Sequence, residues 1–470
     1  MTTSIQVLTA GESFRERVLA EAAGPGVPLG AYADADSLHY LFLREEGGPF
    51  VLTHRLGESL DASAVSGIWP VFSWDEREMA QDRGVCFEEL PDARPLWAER
   101  GVMPEAMVAY GEGLMHFVVG PVHAGVIEPG RFTFSSGGET VVHLDAQLGY
   151  AHRGVERALE GRSTLANAPF VARICGSCSA ARSFAYARAL EILSGVEVSE
   201  PIDLARLVFA ELERIYNHVG DLAASSSGAG WAVGFARGMA LKEEAMRLNQ
   251  IASGHRLLFD AIIPGGVSPA TLTARLAIRA GVAALEERTE RYVRDVFGNA
   301  SLVSRWHGAG VVSHDTSRAF GATGPAHRAS HGTVDVRTFA PYGAYCSLPI
   351  RVARASSGDA FARCQVKSAE LTESFRLLRE ALAALGDAAL PTVQPVSPAA
   401  GSVMTVIEGP RGAELVALRV GRDGTVERLH IISASYRNWP LVVRAMEGNI
   451  VPDFPLVNKS FNLCYACADR

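Results

Sequence analysis

Long apolar runs are missing from this chain. No uninterrupted stretch reaches the ~18–20 residues that a membrane helix requires, so no span is expected within it. The N-terminus carries no basic stretch followed by an apolar core. A secretory leader is therefore not expected, and the predicted compartment is reducing and cytoplasmic. Cysteine is scarce, and seven in 470 residues cannot form a disulfide scaffold. Basic residues do not dominate either. Forty-four against 52 acidic ones leave a net charge of −8, which excludes a broadly basic nucleic-acid-binding face, so no nucleic-acid partner is predicted. No internal repeat or low-complexity tract occurs. Gly228-Ala229-Gly230 and Gly308-Ala309-Gly310 lack the Gly-x-Gly-x-x-Gly pattern after a strand and read as turns rather than nucleotide sites. What remains, 48% hydrophobic and 20% charged, is an ordinary globular mix.

Periodicity divides this mix. Tyr40–Leu43, the turn residues Gly47, Gly48 and Pro49, and Phe50–Leu52 read as strand, turn, strand. Aromatic and acidic residues crowd Trp69–Trp97, and 98–113 reads as a linker, so a first domain is cut near residue 112. Met115–Val119 and Thr140–Leu144 are short β-like stretches joined by a Gly/Ser-rich connection. Helical spacing follows: Phe184 to Leu193, Leu204 to Leu222, Leu276 to Val296, and Val366 to Leu382. The charged stretch 286–294 reads as a solvated helix face. Pro391 and Pro395 mark a linker, after which Glu414–Val420 and Thr425–Ile432 alternate around Gly421-Arg422-Asp423-Gly424 as a hairpin. The predicted class is α+β: a small α+β domain over 1–112, then a mostly helical domain over 113–470 with β elements at both ends.

The cysteines carry the chemistry. Cys175-Gly176-Ser177-Cys178 and Cys464-Tyr465-Ala466-Cys467 are two C-x-x-C pairs, and each gap lets a turn aim two sulfurs at one point. Four soft thiolates suit zinc, an iron–sulfur cluster or nickel. Cys178 and Cys464 stand 286 positions apart, whereas zinc ribbons close over roughly 15–20 residues. A metal tied across that distance belongs in a core. Cys86, Cys346 and Cys364 have no partner spacing and read as small buried apolar residues.

The motifs around the cysteines identify a family. Arg173-Ile174-Cys175-Gly176-Ser177-Cys178 and Cys464-Tyr465-Ala466-Cys467-Ala468-Asp469-Arg470 resemble the two signature motifs of [NiFe] hydrogenase large subunits. The version ending in arginine resembles the energy-converting, formate hydrogenlyase-like group. Gly120–His123 through Glu128-Pro129, Gly149–Glu156, Gly321–Pro325, Arg328–Ser330, Asp335–Arg337, Pro341-Tyr342, Gly358-Asp359 and Glu408–Gly412 resemble this group too. They also resemble the quinone-site subunit of respiratory complex I. Trp74–Glu78 and Pro91–Leu96 resemble the small hydrophilic complex I subunit, fused in this order in formate hydrogenlyase large subunits.

The resemblance implies roles. Cys175, Cys178, Cys464 and Cys467 would bind nickel, with Cys178 and Cys467 bridging to an iron that carries CO and cyanide. Glu128 matches a proton-passing carboxylate, useful if burial raises its pKa. Arg411 matches an arginine over the open side of the metals, and Glu156 a ligand of a second, hard cation such as Mg2+. No iron–sulfur cluster is encoded. The implied partners are a small iron–sulfur subunit with the proximal cluster, further complex I-like and membrane subunits, and nickel-insertion maturation factors. The chain would sit peripherally on the cytoplasmic face of the inner membrane through those partners. On residue type alone Glu128 is a loop carboxylate, Arg411 a turn residue, and His123 and His152 structural groups.

The chain departs from the pattern twice. The histidine usually four residues after the second cysteine is Arg182, and the usual Asp-Pro-Cys is Asn462-Leu463-Cys464. The expected function is hydrogenase catalysis. The alternatives are a complex I-like quinone or ferredoxin oxidoreductase subunit without hydrogen chemistry, and a scaffold with a Cys₄ zinc or an empty site.

Overall fold

The computed structural model describes residues 4–7, 14–24, 26–45, 48–57, 60–99, 101–123 and 127–470. The N-terminal part is a four-stranded sheet in the spatial order Ser4–Val7, Gly48–Arg55, Ser37–Arg44, Val27–Ala33, with helices Phe14–Ala23 and Ser73–Arg83. The first pairing is parallel and the other two antiparallel. The strand–turn–strand reading of 40–52 holds for both strands, while Gly47 lies outside the described residues. Tyr40, Phe42, Leu52, Phe72 and Met79 form a core of their own with Val18. Leu41, Leu43 and Val51, on the other face, join the main core of the molecule. Alternation along these strands thus gives the sheet two buried faces, one packed on its own helices and one on the rest of the chain.

The second part begins with an antiparallel sheet, Leu114–Val119, Arg131–Gly137 and Thr140–Gln147. The Gly/Ser-rich connection therefore hides a strand. Phe132, Phe134 and the small Ser135 face inward there, and serine masks the alternation. Each predicted helix forms: Ser179–Ser194, Glu200–Gly228, Arg275–Gly298 and Ala360–Leu385. The C-terminal hairpin forms as Gly412–Val420 and Val426–Ile432, and a third strand, Gly401–Gly409, extends it. Most of the charged positions between 286 and 294 are exposed, as read. Cys364 is buried, but Cys86 and Cys346 are exposed, contrary to the expectation for them. Cys86 lies in the short strand Cys86–Glu88 and Cys346 at the end of the helical turn Gly343–Cys346, where Ala344 and Tyr345 take the buried positions. Among the described residues, no helix is long and apolar enough to cross a membrane.

The helix Glu200–Gly228 positions the site. It is buried on nearly every side, so its polar residues must find partners inside the protein. Arg206 pairs with Glu191, Arg214 with Glu211 and Glu370, and His218 with Glu370. Removing one member of such a buried pair costs about 3–5 kcal/mol, because the other charge stays buried and uncompensated.

Candidate metal centre

The four cysteines of the two pairs meet. Their sulfurs all lie within 4.8 Å of one another. Cys175 sits in the turn after the helix Thr164–Ala172, and Cys178 is the residue that opens the helix Ser179–Ser194. Cys464 opens the short helix Tyr465–Asp469, which contains Cys467. Helices thus aim both pairs, rather than the β elements expected to bring them together. Cys178 and Cys467 are fully buried, with sulfurs 3.7 Å apart. The Ser177 amide donates to the Cys175 sulfur at 3.3 Å. Hydrogen bonds from the other three thiols, with the Arg411 charge, hold the Cys464 thiol well below its ordinary pKa. Sharing those protons pushes Cys178 and Cys467 up. A cluster that already favours one thiolate is poised to bind a soft cation.

Arg411 lies at the hairpin between Gly401–Gly409 and Gly412–Val420. A methyl group on Gly412 would stand 2.4 Å from the Thr323 hydroxyl, so only glycine lets that segment lie against this turn. The Arg411 guanidinium donates to the Asn462 carbonyl, to Asn217 Oδ1 at 2.8 Å and to Asp221 at 3.4 Å. Asp221 also pairs with Lys367 at 2.8 Å, and these cations hold its carboxyl well below its ordinary range.

Glu128 lies at the exposed rim. Its Oε2 accepts from the Ala466 amide at 2.6 Å, between the two cysteines of the second pair. Partial burial and the nearby Cys464 raise its pKa. Residues 124–126 of the same motif lie outside the described residues. His123 and His152 have structural roles: Nε2 of His123 bonds to the Gly130 carbonyl, and Nδ1 of His152 to the Asp469 carbonyl.

Glu156 is not beside the sulfurs. It belongs to a buried knot in which its Oε1 accepts from the Ile431 amide at 2.6 Å and from Arg470 at 3.1 Å. Glu78 and His430 complete this knot, with ligand atoms within 4.8 Å of one another. The Arg470 guanidinium pairs with both carboxylates.

Three neighbours of the sulfurs escaped the sequence reading. Glu213 caps the start of the helix Ser179–Ser194, accepting from the Ala180 and Ala181 amides at 2.6 and 3.0 Å. Burial still pushes its carboxyl up to about 8. Glu414 pairs with Arg182 at 2.9 Å, and Asn217 donates to the Ser177 carbonyl at 2.8 Å. Glu213, Asn217 and Asp221 recur every four residues on one helix, so polar residues at helical spacing inside an apolar stretch were the available signal.

Residues 229–394 and 390–470 match the family described as the respiratory-chain NADH dehydrogenase, 49 Kd subunit. The chain is 28% identical over 468 residues to formate hydrogenlyase subunit 5 of Escherichia coli, covering 92% of this chain and 82% of that protein. It is 30% identical over 356 residues to the carbon monoxide-induced hydrogenase of Rhodospirillum rubrum, covering 75% and 98%. A subunit of the membrane-bound sulfane sulfur reductase, an archaeal respiratory membrane complex, shares the fold with a TM-score of 0.71 at 24% identity, over 76% of this chain and 99% of that one. The chain belongs to the family of the respiratory-chain NADH dehydrogenase 49 Kd subunit and is related within it to the large subunits of complex I-like hydrogenases.

Proposed function

We propose that this chain is the catalytic large subunit of a membrane-associated, formate hydrogenlyase-like [NiFe] hydrogenase that interconverts dihydrogen with protons and electrons. The observation that carries the reading is the convergence of four sulfurs from two distant C-x-x-C pairs, two of them fully buried and 3.7 Å apart. A donor set of four thiols suits a soft metal. In this reading Cys175, Cys178, Cys464 and Cys467 would hold the nickel–iron centre with its CO and cyanide. When bound, that centre supplies the place where dihydrogen is split or formed.

The chain's own residues would handle the protons. Sγ of Cys464, held well below its ordinary pKa by its hydrogen bonds to the other thiols and by the Arg411 charge, is the thiol whose charge acts on Glu128. Glu128 is anchored through Oε2, which leaves Oε1 to take up a proton and turn it toward solvent. Arg411 is held by three protein acceptors and presents a permanent charge beside the sulfurs. Glu156 would serve the Arg470 knot; a second cation such as Mg2+ would have to share it with that guanidinium. Electrons would leave through a small iron–sulfur subunit, since this chain carries no further cysteine cluster among its described residues. Attachment to the cytoplasmic face of the membrane would come through further complex I-like and membrane subunits, and metal loading through maturation factors. The division into 1–112 and 113–470 fits the separate core of the first sheet.

Arg182 favours a second reading, a complex I-like quinone or ferredoxin oxidoreductase subunit without hydrogen chemistry, because it replaces the histidine of the hydrogenase pattern. Metal analysis with infrared spectroscopy of the purified complex separates the readings. Nickel, iron, and bands of CO and cyanide support the hydrogenase. Zinc alone, or no metal, overturns it.

A further inference from the structure

Arg182 is fully buried, and its Nη2 donates to the Cys467 sulfur at 3.3 Å and to Glu414 Oε2 at 2.9 Å. The other oxygen of Glu414 accepts from the Ala434 amide at 3.2 Å, which fixes the carboxylate from behind. The remaining donors of Arg182, Nε and Nη1, are buried without an acceptor among the described residues. This sets it apart from the structural arginines of the same core. Arg206, Arg214, Arg328 and Arg363 are equally buried, and each bonds through all three of its nitrogens. A buried donor left without an acceptor is destabilising. Arg470, buried as deeply, leaves only Nε without an acceptor among the described residues, whereas Arg182 leaves two nitrogens. Arg182 spends its one shared nitrogen on a sulfur.

We propose that Arg182, held by Glu414, is a positioning residue that tunes the metal centre through Cys467. Its permanent charge and hydrogen bond stabilise negative charge on that sulfur. The sulfur then gives less electron density to any metal it binds. Cys467 is one of the two fully buried sulfurs. Glu414 orients the guanidinium and keeps the buried charge paired, which confines Arg182 to one geometry. A neutral imidazole at the same position would donate a weaker hydrogen bond and leave Glu414 without its partner. The departure from the hydrogenase pattern at Arg182 is thus an electrostatic retuning of the site.

This inference rests on the cysteines holding a metal, and not on hydrogen chemistry, so cobalt(II) is the probe. The apoprotein is loaded with cobalt(II), and the sulfur-to-cobalt charge-transfer band is recorded in the near ultraviolet. Stabilised sulfur electrons require more energy to move. The wild type should absorb at shorter wavelength than Arg182→Met/Glu414→Gln, which removes both charges together and leaves no buried carboxylate unpaired. Arg182→Lys, which keeps the charge and one donor, should fall between them. A folded double variant, as judged by circular dichroism, should keep its cobalt, since without Arg182 the Cys467 sulfur is the stronger donor; loss of cobalt there overturns the proposal. If the double variant misfolds, Arg182→Lys decides alone by the direction of its shift. Coincident bands in wild type and variants, or a wild type that takes up no cobalt, overturn the proposal. Infrared bands of CO and cyanide in the natively matured complex test the hydrogenase reading separately, so failure of one is not failure of the other.

Discussion

Replacing Arg470 by methionine removes a charge but keeps most of the stem. The guanidinium is 1% exposed and pairs with Glu156 at 3.1 Å and Glu78 at 2.5 Å, while also donating to the Ile431 carbonyl at 2.6 Å. At an effective dielectric of about 20, one such pair is worth roughly 5 kcal/mol of Coulomb energy. Desolvation offsets part of this in the intact protein, but the variant leaves two buried carboxylates with the Ile431 amide, the Tyr436 hydroxyl, His430 at 3.6 and 3.8 Å and Arg428 in place of that cation. The expected cost is about 3–5 kcal/mol. At about 2 °C per kcal/mol for a large domain, the apparent Tm should fall by roughly 6–10 °C. The pH dependence follows from Glu156, whose carboxyl is held well below its ordinary range, by Arg470 above all the other charges. A depressed acid stabilises the fold above its unfolded pKa of about 4.5, and that contribution is lost as pH falls below it. The gap between wild type and variant should therefore be largest near pH 7–8 and shrink below about pH 4.5. Arg470→Met/Glu156→Gln should recover part of the loss. Differential scanning calorimetry at pH 4, 6 and 8 provides the readout. A variant within 1–2 °C of wild type at pH 8 would refute the reasoning.

Cys178→Ser and Cys467→Ser should each lower the nickel content of the purified complex to background, and hydrogen turnover with it; unchanged nickel in either variant excludes that cysteine as a ligand. Glu128→Gln keeps the Ala466 contact but cannot carry a proton, so turnover should fall about 100-fold or more with metals retained. Full activity with full metal content removes Glu128 from the proton path. Burial among Arg328, His314 and Arg318 lowers His327 to about 3. A depressed histidine stabilises the fold above about pH 6.5, and that contribution is lost as pH falls. Wild-type stability should therefore drop by about 1.4 kcal/mol per pH unit below pH 6 relative to His327→Gln, and parallel urea midpoints from pH 7 to 4 would contradict it.

The elements with strong periodicity were the legible part of the fold. Leu204, Leu207, Val208, Leu212, Ile215, Val219 and Leu222 mark the central helix because its large apolar residues keep helical spacing, although polar residues between them are buried as well. The strand Arg131–Gly137 stayed hidden because Ser135 and Ser136 are as buried as Phe132 and Phe134, so inside and outside look alike. Gly401–Gly409 is buried over its last seven residues and shows no alternation for the same reason. The order of the N-terminal sheet, with Ser4–Val7 parallel to Gly48–Arg55, depends on a crossover that local pattern cannot encode.

The candidate site divides along the same line. Spacing exposed the cysteines, because two C-x-x-C pairs are improbable without a shared role. The charges around them follow a different logic. Glu213, Asn217 and Asp221 sit on a helix whose apolar residues would fold without them, and each is buried only because the cysteine turns, the Arg411 hairpin and Lys367 close over it. Glu414 comes from a strand more than two hundred positions after Arg182. A chain gains little stability from carrying so many buried charges, since apolar replacements of buried ion pairs are often neutral or stabilising. Their common feature is direction: Glu213 caps the helix that begins at Cys178, Arg411 faces Cys464, and Arg182 donates to Cys467. The charges converge on sulfur, as expected if the fold tolerates their desolvation in return for control of the electrostatic field at one point.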